Sequence, residues 1–142
     1  MVYLTRRVTF NAAHKLALPE WSDERNEAVF GKCANVNWHG HNYVLLVTVA
    51  GEPDPETGFV MNAKTLKDLV DREVTDQLDH RNLNLDVPWM RGVLPTSENI
   101  ARAIWERLEP HIEGAARLVR VRLVETENIF VDYFGPRGLA AA

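Results

Sequence analysis

The segment at residues 38–51 constrains the fold most, because it is apolar on both faces and opens with a pair of histidines. From Tyr43 to Ala50 every residue except Thr48 is apolar. A strand of this kind belongs to a sheet that is covered on both sides. In a chain of 142 residues, the size of one ordinary domain, the second cover can come from another subunit.

The histidine pair predicts a metal site at the start of this strand. Side chains alternate along a strand, so His39 and His41 point to the same face. A third histidine, His14, ends an earlier strand-like run at residues 3–14. If the two strands pair antiparallel, all three imidazoles meet at one edge of the sheet. Three neutral histidines with an open fourth position are typical of catalytic zinc.

The chain's one cysteine, Cys33, lies six residues before His39. It is a fourth ligand that closes the site, a base or nucleophile beside an open site, or a small buried side chain. Imidazole also binds copper, nickel and iron. No carboxylate stands at an obvious ligand spacing, which disfavours iron bound by two histidines and a carboxylate, so zinc is the expected metal.

The remaining pattern predicts a single α+β domain over residues 1–142, with the element order β-β-α-α-β-β and two helices on one face of an antiparallel sheet. One helix opens near Asn62, and the second starts after Pro95 and ends at Gly114. A short helix opens at Ser22 and runs to Phe30. The other strands are expected at 116–125 and 129–134, irregular segments at 15–37 and 79–90, and a loose tail at 138–142.

Composition excludes several classes of function. The net charge is −4 and no basic run occurs, so a nucleic-acid surface is not expected. No run approaches 18 apolar residues, and the N-terminus does not resemble a signal peptide. One cysteine rules out an internal disulfide. These features predict a cytoplasmic protein with no membrane or nucleic-acid partner.

Five further residues, at three places in the chain, are candidates for chemistry. Asp79 and His80 follow the first helix and form either a proton relay or a helix C-terminal histidine. Glu125 ends the third strand, where it either pairs with the guanidine-like edge of a heterocycle or is solvated. Thr96 and Ser97 stand where a helix N-cap is expected.

Six short motifs occur in a specific order between about Tyr3 and Tyr133. They are Phe10-Asn11-Ala12-Ala13-His14, Phe30-Gly31-Lys32-Cys33, His39-Gly40-His41-Asn42-Tyr43, Leu78-Asp79-His80, Thr96-Ser97-Glu98-Asn99 and Val124-Glu125-Thr126. In this order and spacing they resemble the 6-pyruvoyl-tetrahydropterin synthase family. The resemblance implies the tunnelling fold, in which a four-stranded antiparallel sheet carries two helices on its outer face. Three subunits then close a barrel, and two trimers form a homohexamer.

The same resemblance assigns roles to the candidate residues. It implies zinc ligands at His14, His39 and His41, and catalytic residues at Cys33, Asp79 and His80. It implies a pterin anchor at Glu125, with Thr96 and Ser97 near the pterin ring.

The implied reaction converts 7,8-dihydroneopterin triphosphate to 6-pyruvoyl-tetrahydropterin. A sister group that makes 6-carboxytetrahydropterin for queuosine and related deazapurines is an alternative. The five residues between Cys33 and the histidine pair, Ala34–Trp38, resemble in their number the pyruvoyl-forming enzymes. A non-catalytic pterin- or metal-binding protein of the same fold is a second alternative. Cations for the triphosphate are expected among Lys15, Arg25, Lys32 and Arg81, between which the sequence does not choose.

Overall fold

The structure, a computed structural model, describes residues 1–139. Its framework is a pair of long antiparallel strands, β1 (Val2–His14) and β2 (His39–Gly51). They pair along their whole length, from Val2 opposite Gly51 to His14 opposite His39. Alternating apolar residues explain β1, whose buried positions share one face, and the continuous apolar run explains β2, which is buried on both faces from Val47 to Ala50.

Three more strands complete a five-stranded sheet in the order β3-β1-β2-β4-β5. β4 (Arg117–Thr126) and β5 (Ile129–Tyr133) form the expected hairpin, and β4 pairs antiparallel with β2. β3 (Arg81–Asn82) adds two residues that pair in parallel with β1. The sheet therefore has one strand more than the four expected, because a short piece of the segment predicted as irregular reaches the β1 edge.

The helices confirm the α+β class and the N-caps. α1 (Asp23–Phe30) is capped by Ser22, and a 3-10 turn (Gly31–Ala34) follows it. α2 (Ala63–Val70) is capped by Asn62. A π-helical segment (Asp71–Thr75), α3 (Asp76–Leu78) and a 3-10 turn (Pro88–Met90) come next, and then α4 (Ser97–Leu108), capped by Thr96.

One helix boundary was predicted wrongly. α4 ends at Leu108 and continues only as a 3-10 turn (Glu109–His111), so the expected end at Gly114 is too late. Pro110 explains the difference, because proline lacks the backbone N–H that an α-helix needs. The last residues of the expected loose tail, 140–142, lie outside the described residues.

The core lies between the sheet and the helices. An apolar stripe on α2 and its continuation is buried, at Leu66, Leu69, Val70, Val74 and Leu78. It packs with Ile100, Ile104 and Leu108 of α4 against the helix-facing side of β1, β2 and β4. Within residues 1–139, no helix combines the length and the apolar character needed to cross a membrane.

Candidate metal centre and active site

The three predicted histidines meet at one end of the sheet, where β1 ends and β2 begins. His14 and His39 are direct register partners, and His41 lies two residues further along β2 on the same face. The ring centroids are 4.5 Å apart for His14 and His39, 5.1 Å for His14 and His41, and 5.0 Å for His39 and His41. The antiparallel pairing expected from the sequence thus brings the imidazoles together.

A backbone carbonyl orients the most deeply buried of the three rings. His14 Nδ1 lies 2.8 Å from the carbonyl oxygen of Pro95. A carbonyl only accepts hydrogen bonds, so Nδ1 carries the proton and Nε2 presents its lone pair. Contacts of this kind fix the tautomer of metal-binding histidines. Pro95 precedes the N-cap of α4, so the start of this helix holds the ring.

The ring nitrogens face one another without hydrogen-bond partners. Among the described residues, the buried nitrogens without a partner include His14 Nε2, His41 Nε2 and both ring nitrogens of His39. His41 Nε2 is 3.0 Å from Glu125 Oε1, but the two atoms do not have hydrogen-bond geometry. Buried polar atoms in folded proteins nearly always have partners. This converging set therefore fits a metal ion.

The protonation state of the histidines suits metal binding. Burial lowers the pKa of His14 below its usual value, and the nearby His39 and His41 lower it further, although the Pro95 contact and Glu125 oppose them. Burial also lowers the pKa of His39, followed by the effect of His41. Only a neutral imidazole can be a ligand. The surroundings therefore keep both rings in the form that binds metal.

Glu125 belongs to this cluster, which the sequence did not reveal. One atom from each of His14, His39, His41 and Glu125 lies within 4.8 Å of the others. The sequence has no carboxylate at an obvious ligand spacing, but the fold brings Glu125 to the histidines. The carboxylate comes from β4, next to β2 in the sheet, so its sequence position 84 residues after His41 concealed it. The β2–β4 register, with Val44 opposite Val124, places Glu125 beside the histidines, and no local sequence pattern specifies that register.

Ser97 and Thr96 have different roles at the start of α4. The Ser97 hydroxyl is buried and donates a hydrogen bond to Glu125 Oε2 at 3.0 Å. It therefore fixes one carboxylate oxygen while the other faces the histidines. The Thr96 hydroxyl accepts from the Asn99 N–H at 3.2 Å, which is the N-cap expected from the sequence.

Cys33 lies in the 3-10 turn after α1 and is half-buried. Its carbonyl oxygen accepts a hydrogen bond from the Leu16 N–H at 2.8 Å, which ties the turn to the end of β1 beside His14. Burial raises the pKa of the Cys33 thiol, and the negative charge of Glu125 raises it further. The protein's own groups therefore favour the thiol over the thiolate.

Asp79 and His80 form a pair on the surface. Asp79 Oδ1 accepts from the Asn11 N–H at 2.8 Å, and Asp79 Oδ2 lies 3.1 Å from His80 Nδ1. The Asn11 N–H and then the His80 ring hold the pKa of Asp79 below its usual range. The His80 side chain is 82% exposed. In the described part of the chain, no hydrogen bond or ion pair joins this pair to Cys33 or to the three histidines.

Comparisons with known proteins agree with this geometry. Residues 3–136 match the family model described as 6-pyruvoyl tetrahydropterin synthase. The 6-pyruvoyl tetrahydrobiopterin synthase of Homo sapiens is 45% identical over 132 residues, which cover 93% of this chain and 90% of that protein. A dihydroneopterin monophosphate aldolase of Pyrococcus furiosus is 36% identical over 126 residues, which cover 89% of this chain and 91% of that protein.

The fold also matches a solved structure. The 6-pyruvoyl tetrahydropterin synthase of Caenorhabditis elegans superimposes with a TM-score of 0.88 at 40% sequence identity. The match covers 94% of this chain and 95% of that one.

Proposed function

The chain belongs to the 6-pyruvoyl tetrahydropterin synthase family, and we propose that it converts 7,8-dihydroneopterin triphosphate to 6-pyruvoyl-tetrahydropterin with elimination of triphosphate. The observation that carries this proposal is the cluster of His14, His39, His41 and Glu125. The chain that holds this cluster is 45% identical to the 6-pyruvoyl tetrahydrobiopterin synthase of Homo sapiens. No redox cofactor is required, because the side chain of the substrate is oxidised while the pterin ring is reduced.

Zinc is the metal that we propose, held by His14, His39 and His41. When bound, it supplies Lewis-acid polarisation of the hydroxyl groups on the substrate's side chain. The Pro95 carbonyl keeps His14 in the ligand tautomer. The lowered pKa values of His14 and His39 support binding at neutral pH.

Glu125 is proposed to bind the pterin ring. A carboxylate accepts two parallel hydrogen bonds from the N–C(NH₂)–N edge of a pterin, and a charged acceptor strengthens both. Ser97 supports this role, because its hydrogen bond fixes the direction of the carboxylate. Thr96 lies next to Ser97 and completes the proposed pterin-binding set.

Cys33 is proposed as the base at the side-chain carbon next to the ring. The protein's own groups favour the thiol, and the positive charge of a zinc ion bound by the three histidines would favour the thiolate that a base requires, with the thiol proton released to solvent. Asp79 stays ionised and orients the His80 ring, which then moves protons for the tautomerisations. Within the described residues no hydrogen bond or ion pair joins this exposed pair to the histidine cluster, which supports a site to which a second copy of the chain contributes.

The strand edges support assembly into a homohexamer built from two trimers. β3 covers β1 only at Ala12 and Ala13, and within residues 1–139 no strand pairs with the outer edge of β5. Unpaired edges are the usual sites for pairing with another chain. Tyr3 and Phe130, at the two edges of the face opposite the helices, are 59% and 50% exposed. Light scattering that gives a monomer at micromolar concentration would exclude this assembly.

We also propose that residues 1–142 form one domain that acts in the cytoplasm. The substrate is a small molecule, and neither nucleic acid nor membrane takes part. Cys33 supports a reducing compartment, because the chain has no second cysteine with which to form a disulfide.

Product analysis tests the proposed reaction directly. The zinc-loaded protein is incubated with 7,8-dihydroneopterin triphosphate without any reductase, and the pterin products, triphosphate and aldehydes are measured. We expect 6-pyruvoyl-tetrahydropterin and triphosphate in equal amounts. Acetaldehyde in proportion to triphosphate would instead identify the 6-carboxytetrahydropterin reaction of queuosine synthesis. Binding of pterin without turnover would identify a non-catalytic member of the fold.

A further inference from the structure

A lysine ammonium lies against a tryptophan ring beside the end of the sheet that carries the three histidines. Lys15 follows His14, and Trp38 precedes His39. Since His14 and His39 are register partners, Lys15 and Trp38 lie next to each other just beyond the ends of β1 and β2. The Lys15 Nζ atom is 5.7 Å from the centroid of the Trp38 ring, which is within the range of a cation–π contact.

The backbone of Lys15 is fixed by a single side chain. The Lys15 N–H donates to Asn84 Oδ1 at 3.0 Å, and Asn84 Nδ2 donates to the Lys15 carbonyl oxygen at 2.9 Å. Asn84 is itself held, because its N–H donates to Asn82 Oδ1 at 3.0 Å. The Cα atom of Lys15 thus stays in place beside His14, while its four-carbon stem can still move the ammonium.

Trp38 has an uncommon backbone conformation. Its φ is 68°, in the left-handed region that bulky side chains rarely adopt. Its N–H donates to the Asn35 carbonyl oxygen at 3.1 Å, which closes the turn between Cys33 and the histidine pair. Such outliers persist where the surrounding structure enforces them, and they concentrate at functional sites.

The Lys15 ammonium has no carboxylate partner among the described residues. Six of the other lysines and arginines form ion pairs with carboxylates, such as Lys64 with Asp68 and Arg122 with Asp132. Lys15 and Trp38 line a cleft of about 370 Å³ with Trp21, Asn84 and Leu85. Asp23 also lines this cleft, but it forms no ion pair with Lys15.

We propose that Lys15 binds the polyphosphate group of the substrate, and that Trp38 is the positioning residue against which the ammonium rests before the anion arrives. This inference rests on the proposed function. Among the cations expected from the sequence, Lys15 alone is half-buried, whereas Arg25, Lys32 and Arg81 are exposed. A phosphate oxygen offers the ammonium charge-assisted hydrogen bonds, which are stronger than the contact with the ring.

Inorganic tripolyphosphate is the probe for this site. Its affinity for the zinc-loaded protein is measured by calorimetry for the wild type, for K15M and for K64M. Lys64 is a matched control, because its side chain is 80% exposed on α2 and its loss removes the same charge. We expect K15M to bind roughly 10-fold more weakly and K64M to bind like the wild type. Equal affinity in K15M, or an equal loss in K64M, overturns the proposal. Zinc content is checked after each titration.

A fluorescence measurement does not depend on the folding of K15M. Tripolyphosphate should change the tryptophan emission of the wild type, because the ammonium leaves the Trp38 ring, and the change should be absent in W38F. No change in the wild type, or the same change in W38F, overturns the proposal.

The two proposals fail separately. If the wild type makes no pyruvoyl product but K15M still loses affinity for tripolyphosphate, the lyase function is wrong and the anion site stands. If the wild type turns over and K15M has an unchanged KM for the triphosphate substrate, the anion site is wrong and the lyase function stands.

Discussion

Replacing Glu125 by glutamine separates two roles that the structure allows for this carboxylate. Oε2 accepts from the Ser97 hydroxyl at 3.0 Å, and Oε1 lies 3.0 Å from His41 Nε2 and 3.5 Å from His14 Nε2. The first contact suits a fixed acceptor for the pterin edge, and the second suits a metal ligand. Glutamine keeps the shape and an acceptor for Ser97 but removes the charge.

The expected loss of pterin affinity follows from the charge of the acceptor. Hydrogen bonds to a charged group contribute roughly 1.5–3 kcal/mol, and neutral ones roughly 0.5–1.5 kcal/mol. The difference of about 1–2 kcal/mol corresponds to a loss of roughly 5- to 30-fold in affinity. The Glu125 side chain is only 17% exposed, so solvent weakens this difference little.

Calorimetry with neopterin, which carries the pterin edge without phosphate, measures this loss on zinc-loaded protein. Glu127→Gln is the matched control, because Glu127 is exposed in the turn after β4 and its loss removes the same charge. We expect Glu125→Gln to keep its zinc and to bind neopterin more weakly. Unchanged affinity would refute the anchor role, and loss of zinc would make Glu125 a ligand.

Four further predictions concern the metal, the base, pH and packing. His39→Ala should lose bound zinc by elemental analysis while Cys33→Ala keeps it; equal losses would make Cys33 a ligand. Cys33→Ala should also lower turnover by about 100-fold or more with neopterin affinity unchanged, as expected for a lost base. In the metal-free protein, the pKa values of His14 and His39 are lowered by folding. As the pH falls, the unfolded chain therefore binds protons at these histidines at a higher pH than the folded protein does. The free energy of unfolding should therefore fall in denaturant titrations below about pH 6.5, the ordinary pKa of histidine; a flat profile from pH 7.5 to 5.5 would contradict this. Gly135→Ala should lower the melting temperature, because Gly135 has a φ of 84° and an added Cβ would lie 2.5 Å from the Trp105 ring; an unchanged value would contradict this packing.

The sequence predicted the features that depend on local periodicity. Alternating apolar residues located β1, a continuous apolar run located β2, and the spacing of His39 and His41 required both rings on one face. The place of His14 at the end of the preceding strand then made the metal cluster a consequence of antiparallel pairing. Asn62 and Thr96 were predictable caps, because their side chains bond N–H groups only two or three residues away.

Features that depend on distant parts of the chain were not predictable in this way. Glu125 reaches the histidines only because β4 lies next to β2. A shift of one residue in the β2–β4 register would turn its side chain to the opposite face of the sheet. The pairing of Arg81 and Asn82 with β1 is equally non-local, since two residues carry no periodic pattern. Pro95 is recognisable as a residue before a helix, but nothing in the sequence shows that its carbonyl oxygen meets His14.

Backbone conformation marks the site independently of any motif. Among the described residues, the non-glycine residues with positive φ are Trp38, at 68°, and His80, at 59°. Trp38 is the proposed positioning residue and His80 is a proposed catalytic residue. Each is held by a backbone hydrogen bond, from Trp38 N–H to Asn35 O and from His80 N–H to Asn11 O at 2.6 Å. Sequence rules place glycine or asparagine at such positions. Backbone strain of this kind clusters at functional sites. Trp38 and His80 are therefore the residues at which backbone strain and proposed function coincide.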